Sequence, residues 1–342
     1  MWRMSDAPSG LTRVAVVGGG IAGLTLAAAL DPARFDVTLV EAQPERTTGA
    51  ALGLWPGARR TLARLGVALP APTKADHGGL YRLDGARVAT VRGPDLAMVM
   101  RPALMEALAA AVPGSVRRVM AEVTDPSTLD ADLVVGADGV RSRVRGLVQP
   151  GAAERRETPY VTLRGIVPAG AAADRLRPLV GEYWGAGTLF GLAPVGDALY
   201  WFTGHVSDLG PEPLDVTTVV AEARERFAAA APHLREVLDA AGDDTLATRL
   251  WVTPPMHRYV SGRYVVIGDA AHAALPNLGR GASDAVLDAA SLARTLNTNR
   301  SLASWQVRRL PVTQVARTVA GWGMRVALSP TRDLLWRRLG TK

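Results

Sequence analysis

A single segment near the N-terminus sets the architecture of this chain: Val14-Ala-Val-Val-Gly18-Gly-Gly20-Ile-Ala-Gly23-Leu24. Four apolar residues lead into a run of glycines, and an Ala- and Leu-rich stretch follows at once, which predicts a β-strand, a tight turn and an α-helix. Gly18 suits the turn, Gly20 lets the backbone approach a pyrophosphate, and Gly23 lets the helix pack close to the strand. The first turn of that helix would direct unpaired N–H groups at the phosphates.

A second strand and an acidic residue follow at the spacing that such a unit requires. The run from Phe35 to Val40 predicts the strand, and Glu41 ends it, 18 residues after Gly23. A carboxylate in this position accepts hydrogen bonds from a ribose 2′-hydroxyl and repels a 2′-phosphate. This part of the protein is therefore predicted to bind an adenosine diphosphate with a free ribose, which both FAD and NAD contain.

The composition is that of a globular protein with room for one large domain or two. The chain has 342 residues, of which 48% are hydrophobic and 21% are charged. Its net charge is +7, but only Lys74 and Lys342 are lysines, and the arginines are scattered along the chain. We interpret the charge as a solvated, arginine-rich surface, and we expect no nucleic-acid partner.

Several classes of protein are excluded by what the sequence lacks. There is no cysteine, which removes disulfides, thiolate metal sites, redox-active cysteine pairs and cysteinyl-linked flavins. Residues 1–13 carry charge and have no apolar centre, so no signal peptide is expected. No apolar run approaches about 18 residues, so we expect no stable membrane insertion and a cytoplasmic protein.

The order of elements along the chain predicts an α/β fold with an insertion. It begins and ends in alternating strands and helices, as in a Rossmann-like domain with a mixed or parallel sheet, and a β-rich block of antiparallel type lies between. Helical structure is predicted from Thr217 to Ala241 and over most of 301–339. The predicted division is a dinucleotide-binding domain of residues 11–75, 93–155 and 262–300, a β-rich substrate domain of 76–92 and 156–261, and C-terminal helices in 301–342.

Two later segments each place an aspartate after a buried strand, and they distinguish between the two cofactors. They are Leu133-Val-Val-Gly136-Ala-Asp138-Gly139 and Tyr264-Val-Val-Ile-Gly268-Asp269. The carboxylate of Asp269 can accept a hydrogen bond from a polyol hydroxyl, and backbone N–H groups around Gly279 to Ser283 can face a developing anion. A reduced flavin carries negative charge around N1 and the C2 carbonyl, so this pattern favours FAD over NAD.

In this order and at these separations, the motifs resemble the FAD-dependent aromatic-ring monooxygenases, which are single-component flavoprotein hydroxylases with the para-hydroxybenzoate hydroxylase fold. The resemblance covers about the whole chain. It includes Arg101-Pro-Ala-Leu104-Met-Glu-Ala-Leu108, similar to the family's Arg-x-x-Leu-x-x-x-Leu helix, and the segment from Gly49 to Arg59, similar to one that lines the flavin and substrate cavity.

The resemblance implies an oxidoreductase that uses FAD with NADPH or NADH as co-substrate. One oxygen atom of O₂ would pass, through a flavin C4a-hydroperoxide, to a small organic substrate. Hydroxylation or epoxidation of an aromatic or polyketide-like molecule of secondary metabolism is the expected reaction. The alternative is an FAD-dependent reductase or dehydrogenase of a small organic substrate without oxygen insertion. A flavin-dependent halogenase is disfavoured because its Trp-x-Trp-x-Ile-Pro stretch is missing.

The resemblance also implies roles for the residues that match the family motifs. Gly18, Gly20 and Gly23 would hold the FAD pyrophosphate, Glu41 would bind the adenosine ribose, and Arg101 would lie along the FAD. No side chain is expected to act as a catalytic nucleophile, acid or base, and no metal is expected.

The later motifs would contact the rest of the cofactor. Asp138 and Gly139 would serve FAD and nicotinamide binding, Asp269 would lie on the ribityl chain, and the segments at Pro276 and at 279–281 would lie against the isoalloxazine ring. The predicted cofactor-binding residues are Gly18, Gly20, Ala22, Gly23, Glu41, Arg101, Asp138, Gly139, Asp269, Pro276, Gly279 and Gly281.

Arg280 departs from the family pattern, which usually has a neutral residue there. It would either place a cation near the flavin pyrimidine or point to solvent. None of the five histidines has metal-ligand spacing with another. His272 is predicted to be a packing or hydrogen-bonding residue, and His205 either faces the substrate cavity or lies at an edge or surface.

Aromatic residues of the inserted sheet are the candidates for a substrate pocket. Since alternate residues of a strand face opposite sides, either Trp201 alone or Tyr200 with Phe202 faces the flavin. Ordinary sheet core is the alternative for most of these rings. The predicted pocket residues are Trp55, Trp184, Phe190, Tyr200 and Phe202.

Overall fold

The structure is a computed structural model that describes residues 10–43, 51–70, 73–74, 77–92, 95–185, 187–210, 212–242 and 244–329. The strands are β1 (Thr12–Val17), β2 (Phe35–Glu41), β3 (Ala51–Leu54), β4 (Thr73–Lys74), β5 (His77–Arg82), β6 (Arg87–Arg92), β7 (Ala97–Met100), β8 (Arg117–Met120), β9 (Leu133–Gly136), β10 (Arg156–Val167), β11 (Gly181–Gly185), β12 (Thr188–Val195), β13 (Ala198–Val206), β14 (Leu246–Val252), β15 (Val260–Ser261) and β16 (Tyr264–Val266). The helices are α1 (Ile21–Ala29), α2 (Pro56–Arg64), α3 (Arg101–Ala111), α4 (Val144–Val148), α5 (Ala171–Leu176), α6 (Val216–Arg226), α7 (Pro232–Asp239), α8 (Asp269–His272), α9 (Gly281–Asn297) and α10 (Leu302–Ala327).

The first sheet is the parallel sheet that the N-terminal segment predicts. Its strand order is β15-β16-β9-β1-β2-β8, and every neighbouring pair is parallel except β15 with β16. The apolar run from Val14 to Val17 is buried in β1, because helices cover both faces of a parallel sheet. Helices α1 and α9 pack against each other, as do α2 and α9. The predicted α/β fold with a parallel sheet is confirmed.

The second sheet has the order β14-β10-β13-β12-β11-β5-β6, and all its pairs are antiparallel except β11 with β5. One face, which we call the outer face, packs under α6 and α7 around Phe190, Trp201 and Phe227. The opposite face, which we call the inner face, packs against α10 and against the small sheet β3-β7-β4. The antiparallel character predicted for this block is therefore confirmed, while the predicted domain boundaries stay a prediction.

The segment from Thr217 to Ala241, predicted to be helical, forms two helices with a break between them. Helix α6 ends at Arg226, and α7 begins at Pro232. A proline has no N–H to continue a helix, and its ring clashes with the preceding turn, whereas it is well placed at the first position of a new helix. Both helices pack on the outer face.

Helix α10 covers residues 302–327 of the region predicted to be mostly helical, and the positions from 330 onward lie outside the described residues. It packs on the first sheet's helices through the buried Trp305, whose Nε1 donates a hydrogen bond to Ser291 Oγ at 3.0 Å. Farther along, Met324 and Ala327 pack against the second sheet. No helix in the described ranges is long and apolar enough to cross a membrane.

Candidate active site

The motifs singled out in the sequence meet at one edge of the first sheet. Strands β16, β9, β1 and β2 are neighbours and run parallel. Val17 is in register with Gly136 and with Val40, and Gly136 is in register with Val266. The loops that follow these four strands therefore share the carboxyl edge, where parallel α/β sheets bind their ligands.

The glycine turn after β1 has no room for side chains at two of its positions. Gly18 adopts φ +103°, and a Cβ there would lie 2.4 Å from the carbonyl oxygen of Ala137. A Cβ at Gly23 would lie 1.9 Å from the carbonyl oxygen of Gly18, so α1 packs directly on the turn. Gly20, which caps α1, has open space where its Cβ would stand. The N-terminus of α1 is thus open toward a ligand.

Glu41 lies across this turn. Its carboxylate accepts hydrogen bonds from the N–H of Gly19 at 2.5 Å and from the N–H of Gln43 at 2.9 Å. The carboxylate is therefore held beside the glycine turn at the end of β2. This is the placement that a ribose-binding acid requires.

Asp138, at the end of β9, has one carboxylate oxygen occupied and one without a partner. Its Oδ2 accepts hydrogen bonds from the N–H groups of Arg143 at 2.8 Å and Val144 at 3.4 Å. Its Oδ1 is buried and accepts no hydrogen bond from any residue that the structure describes. Burial raises the pKa of this carboxyl group, against the opposing effect of the hydrogen bonds. A buried acceptor without a partner is costly, and a ligand hydroxyl or N–H would satisfy it.

A buried arginine that sequence reasoning missed holds the two aspartate loops together. Arg145 is fully buried, and it donates hydrogen bonds to backbone carbonyls on both sides of the carboxyl edge. These include Val140 at 2.8 Å, Ala152 at 2.7 Å and Ala270 at 3.1 Å. The loop after Asp138 and the helix that begins at Asp269 are therefore fixed relative to each other. Burial lowers the pKa of Arg145.

The last motif presents an open surface at the start of α9. Asp269, Pro276 and Gly281 are exposed, whereas the neighbouring Gly268 is buried with φ +59°. A Cβ at Gly268 would lie 3.0 Å from Cβ of Ala22, which is why α1 and α9 can approach so closely. No side chain caps α9, so its first N–H groups remain available to an anion.

Trp55 connects the segment that enters α2 with the start of α9. Its backbone N–H donates to Ser283 Oγ at 2.9 Å, and its indole Nε1 donates to the carbonyl of Leu278 at 3.3 Å. Its ring thus lies beside the loop at 276–279. Arg101, the other residue predicted from this region, is exposed at the first position of α3.

The charge of Arg280 is compensated within α9. Its Nε and Nη2 donate to the carboxylate of Asp284 at 3.1 and 2.9 Å, which is a pairing that neither predicted alternative contained. Asp284 lies 3.5 Å from Arg309 of α10. The start of α9 therefore presents a paired cation to its surroundings.

His272 belongs to a buried network that the sequence did not reveal. Its Nε2 lies 2.6 Å from Asp288 Oδ2, which also accepts the N–H of Gly268 at 3.0 Å, and Arg309 donates to Asp288 Oδ1 at 2.7 Å. Burial alone would lower the pKa of His272, but Asp288 outweighs it and the pKa is raised. The network ties α8, α9 and α10 together behind the carboxyl edge.

The aromatic residues of the second sheet divide between its two faces. Tyr200 and Phe202 lie on the inner face with ring centroids 5.6 Å apart, and they pack near Ala51, Met98 and Met100. Trp184 lies on the same face, against the cluster that α10 forms with β12 and β14. The structure therefore places Tyr200 and Phe202 together on the inner face, where Phe202 shares a cluster with Leu275 and Leu278 of the loop before α9.

Phe190 is not with them. Its ring is fully buried on the outer face, stacked 6.0 Å from Trp201 and edge-on to Phe227. The structure therefore separates it from Tyr200 and Phe202, because alternation along β12 points it into the core under the helices. His205 is also buried on the outer face, 3.3 Å from Glu222, so it does not lie at the surface.

Comparison with known proteins identifies the family. The pattern of the FAD binding domain matches residues 105–310, more than half of the chain, and that of the FAD dependent oxidoreductases matches residues 13–83. The chain belongs to the FAD-dependent flavoprotein monooxygenases. The resemblance predicted from the motifs is confirmed, and so is the predicted cofactor, FAD. Monooxygenases of this class use NAD(P)H.

Individual monooxygenases support the assignment over most of the length. The chain is 30% identical to an aurachin C monooxygenase/isomerase of Stigmatella aurantiaca, over 86% of this chain and 82% of that one. It is 32% identical to a 3-amino-4-hydroxybenzoate 2-monooxygenase of Streptomyces cremeus, over 90% and 84%. The solved structure of Klebsiella pneumoniae HpxO with FAD and uric acid superposes with a TM-score of 0.81 at 23% identity, covering 95% of this chain and 91% of that one, and shows the shared fold.

Proposed function

We propose that this monooxygenase inserts one oxygen atom of O₂ into a small aromatic or polyketide-like molecule bound on the inner face of the second sheet. NADPH or NADH supplies two electrons, the second oxygen atom leaves as water, and the substrate gains a hydroxyl group or an epoxide oxygen. The observation that carries this proposal is the aromatic Tyr200–Phe202 surface of the inner face, where Phe202 shares a cluster with Leu275 and Leu278, in the loop between α8 and α9 that follows the carboxyl edge.

The residues at the carboxyl edge fit an FAD. The open N-terminus of α1 at Gly20 suits the pyrophosphate, and Glu41 suits the adenosine ribose. The buried Oδ1 of Asp138 lacks a donor that a bound cofactor would supply. The exposed carboxylate of Asp269 suits the ribityl hydroxyls. These roles are part of the proposal. The proposal also includes cofactor binding by Ala22, Arg101, Gly139, Pro276, Gly279 and Gly281.

When bound, FAD supplies the redox chemistry that no side chain provides. The protein's part is to bind, orient and exclude water. The uncapped N-terminus of α9 stabilises negative charge placed before it, and the pairing of Arg280 with Asp284 leaves that work to the backbone N–H groups. Trp55, fixed by its two hydrogen bonds, limits water entry beside the same loop.

The relatives give a guide to the chemical class of the substrate. Their names specify aurachin C, 3-amino-4-hydroxybenzoate and, in a relative from Klebsiella oxytoca that is 27% identical over 84% of this chain, urate. All three proteins are oxygenases or hydroxylases by name. We therefore favour a ring compound as the substrate of this chain.

The test is a substrate screen on the FAD-loaded protein with NADPH and NADH in turn. Oxygen uptake and coenzyme oxidation are followed together, and the product mass is measured under ¹⁸O₂. We expect an accepted substrate to accelerate coenzyme oxidation and to gain one ¹⁸O atom per coenzyme consumed. A reduced product with no ¹⁸O would instead establish the alternative, a reductase or dehydrogenase.

A further inference from the structure

A row of directly paired residues across four strands of the second sheet places an acidic residue and an arginine on either side of an aromatic ring. Glu182 pairs with Gly191, Gly191 pairs with Phe202, and Phe202 pairs with Arg164, on the neighbouring strands β11, β12, β13 and β10. Residues directly opposite each other project on the same face of a sheet. Glu182, Phe202 and Arg164 therefore all lie on the inner face, where the proposed function places the substrate.

Gly191 makes the row continuous. A Cβ at this position would lie 2.1 Å from Cζ of Phe202, so the ring of Phe202 leans across the glycine toward Glu182. Three strand spacings separate Glu182 from Arg164, which is about 14 Å between their Cα atoms. A separation of this size matches the length of one substituted ring with a hydrogen bond at each end.

Glu182 is a partly buried acid. Its Oε2 accepts a hydrogen bond from Trp184 Nε1 at 2.8 Å. Within the described ranges it forms no ion pair, although a carboxylate has about four acceptor positions. Burial raises the pKa of this carboxyl group, with the Trp184 hydrogen bond opposing it. Keeping a partly buried acid without a cation costs stability, which points to a partner that arrives with a ligand.

Arg164 is the matching group at the other end. Its guanidinium donates to Thr248 Oγ1 at 3.3 Å and forms no ion pair with any residue that the structure describes. The hydroxyl of Tyr200 lies near its charge: burial raises the pKa of Tyr200, and Arg164 opposes this. Glu182, Phe202 and Arg164 also keep intermediate exposure, although α10 and the small sheet pack against the same face.

We propose that Glu182 determines the substrate class by accepting a hydrogen bond from a substrate N–H, while Arg164 binds an acidic group at the opposite end of the same ring. The substrate is then an amphoteric aromatic or heteroaromatic compound that carries an amine or ring N–H and a carboxylate or acidic hydroxyl. This inference rests on the proposed function, because it requires the substrate to lie on the inner face. Neutral apolar rings are disfavoured, since they would cover both charged groups without pairing them.

The test measures binding, so it does not depend on turnover. Probes are two matched pairs in which a methyl group replaces an amine: 4-aminobenzoate with 4-methylbenzoate, and 3-aminobenzoate with 3-methylbenzoate. Dissociation constants are measured by titration calorimetry on the FAD-loaded protein. We expect the wild type to bind at least one amine about tenfold more tightly than its methyl partner, as for a hydrogen bond to a charged group.

Variants separate recognition from folding. Glu182→Met should reduce that ratio to below threefold. Glu182→Gln, which can still accept from Trp184, should give an intermediate ratio, and Arg164→Met should weaken both members of a pair alike. The control Glu236→Gln alters an exposed acid paired with Arg175 on the other side of the sheet, and should change nothing. FAD content and melting temperature are recorded for every variant.

An unchanged preference in Glu182→Met would overturn the inference, and so would equal affinities within both pairs, or no binding of any probe, in the wild type. The proposed function fails separately, if no substrate in the screen gains ¹⁸O. A protein that inserts oxygen into apolar rings but ignores the amine probes would retain the proposed function and lose this inference.

Discussion

The carboxyl edge of the first sheet and the inner face of the second sheet consist of different kinds of chemical group. The edge consists of glycines, backbone N–H groups and single acids that follow strands, as at Gly18, Glu41 and Asp138. The inner face consists of side chains from four strands that meet only through sheet pairing, as at Glu182 and Arg164. The geometry of the carboxyl edge thus follows from local sequence, whereas that of the inner face depends on the register in which the strands pair.

A side chain placed in the glycine turn should have the largest effect on the carboxyl edge. Gly23→Val should prevent folding or lower the free energy of unfolding by at least about 3 kcal/mol, because its Cβ would meet the Gly18 carbonyl oxygen at 1.9 Å. Gly20→Val, in open space, should leave folding nearly unchanged and weaken FAD binding more than tenfold. Urea unfolding and flavin titration measure the two effects. Gly114→Val, also in open space but away from the turn, is the control, and loss of FAD there would contradict the assignment.

The network behind the edge should be the next most sensitive element. Asp288→Asn removes the acid that pairs with both His272 and Arg309, and it leaves Arg309 with its longer contact to Asp284 at 3.5 Å. We expect a loss of about 3–5 kcal/mol in the free energy of unfolding. Asp239→Asn, at an exposed pair with Arg224, should cost less than about 1 kcal/mol. Similar losses in the two variants would show that the buried network is not stabilising.

The two faces of the second sheet can be separated by a matched pair of truncations. Phe190→Leu, in the fully buried outer core, should lower the free energy of unfolding by roughly 1–3 kcal/mol and leave the substrate KM unchanged. Phe202→Leu, on the inner face, should cost less stability and raise KM. Chemical denaturation and steady-state kinetics are compared for both variants. A KM effect in Phe190→Leu alone would reverse the assignment of the faces.

The pH dependence of stability reports on His272. Its pKa is raised in the folded protein from an ordinary value of 6.5, so its contribution is complete below about pH 6.5 and is lost as the pH rises toward the raised value. The free energy of unfolding should therefore fall above pH 6.5, by at most about 1.4 kcal/mol per pH unit from this group. In His272→Gln that part of the slope should disappear. A parallel slope in the variant would assign the fall to other groups.

The smallest effect is expected at Arg280. Arg280→Gln removes a partly exposed pair at positions i and i+4 on α9, while Asp284 keeps its contact with Arg309. The free energy of unfolding should change by less than about 0.5 kcal/mol. FAD affinity should also stay within about threefold, measured by flavin fluorescence, because the backbone N–H groups of α9 remain. A larger loss of affinity would show that the arginine itself faces the cofactor.

The sequence predicted those features that depend on neighbours along the chain. The strand, turn and helix of residues 14–24, and the aspartates that follow β9 and β16, come from patterns only a few residues long. Their common edge follows from parallel pairing. The break between α6 and α7 was also local, since Pro232 marks it, but the helical period on both sides concealed it.

Features that depend on register could not be predicted. Alternation shows that Tyr200 and Phe202 share a face of β13, but it cannot show which face looks toward the first sheet. The row from Glu182 to Arg164 needs three strand pairings at once. The contact between Asp288 and Arg309 joins residues 21 positions apart on separate helices, and nothing in their local sequence distinguishes them from surface charges.

Helix α10 has a consequence for the order in which the molecule is assembled during synthesis. It follows both sheets along the chain, yet its first half packs on α9 through Trp305 and its second half packs on the second sheet through Met324. Either sheet can collapse while the ribosome is still translating, because domains generally fold as units from the N-terminal side. The two sheets can be held together by α10 only after this helix has left the ribosome. The nascent protein should therefore become resistant to protease in a late step.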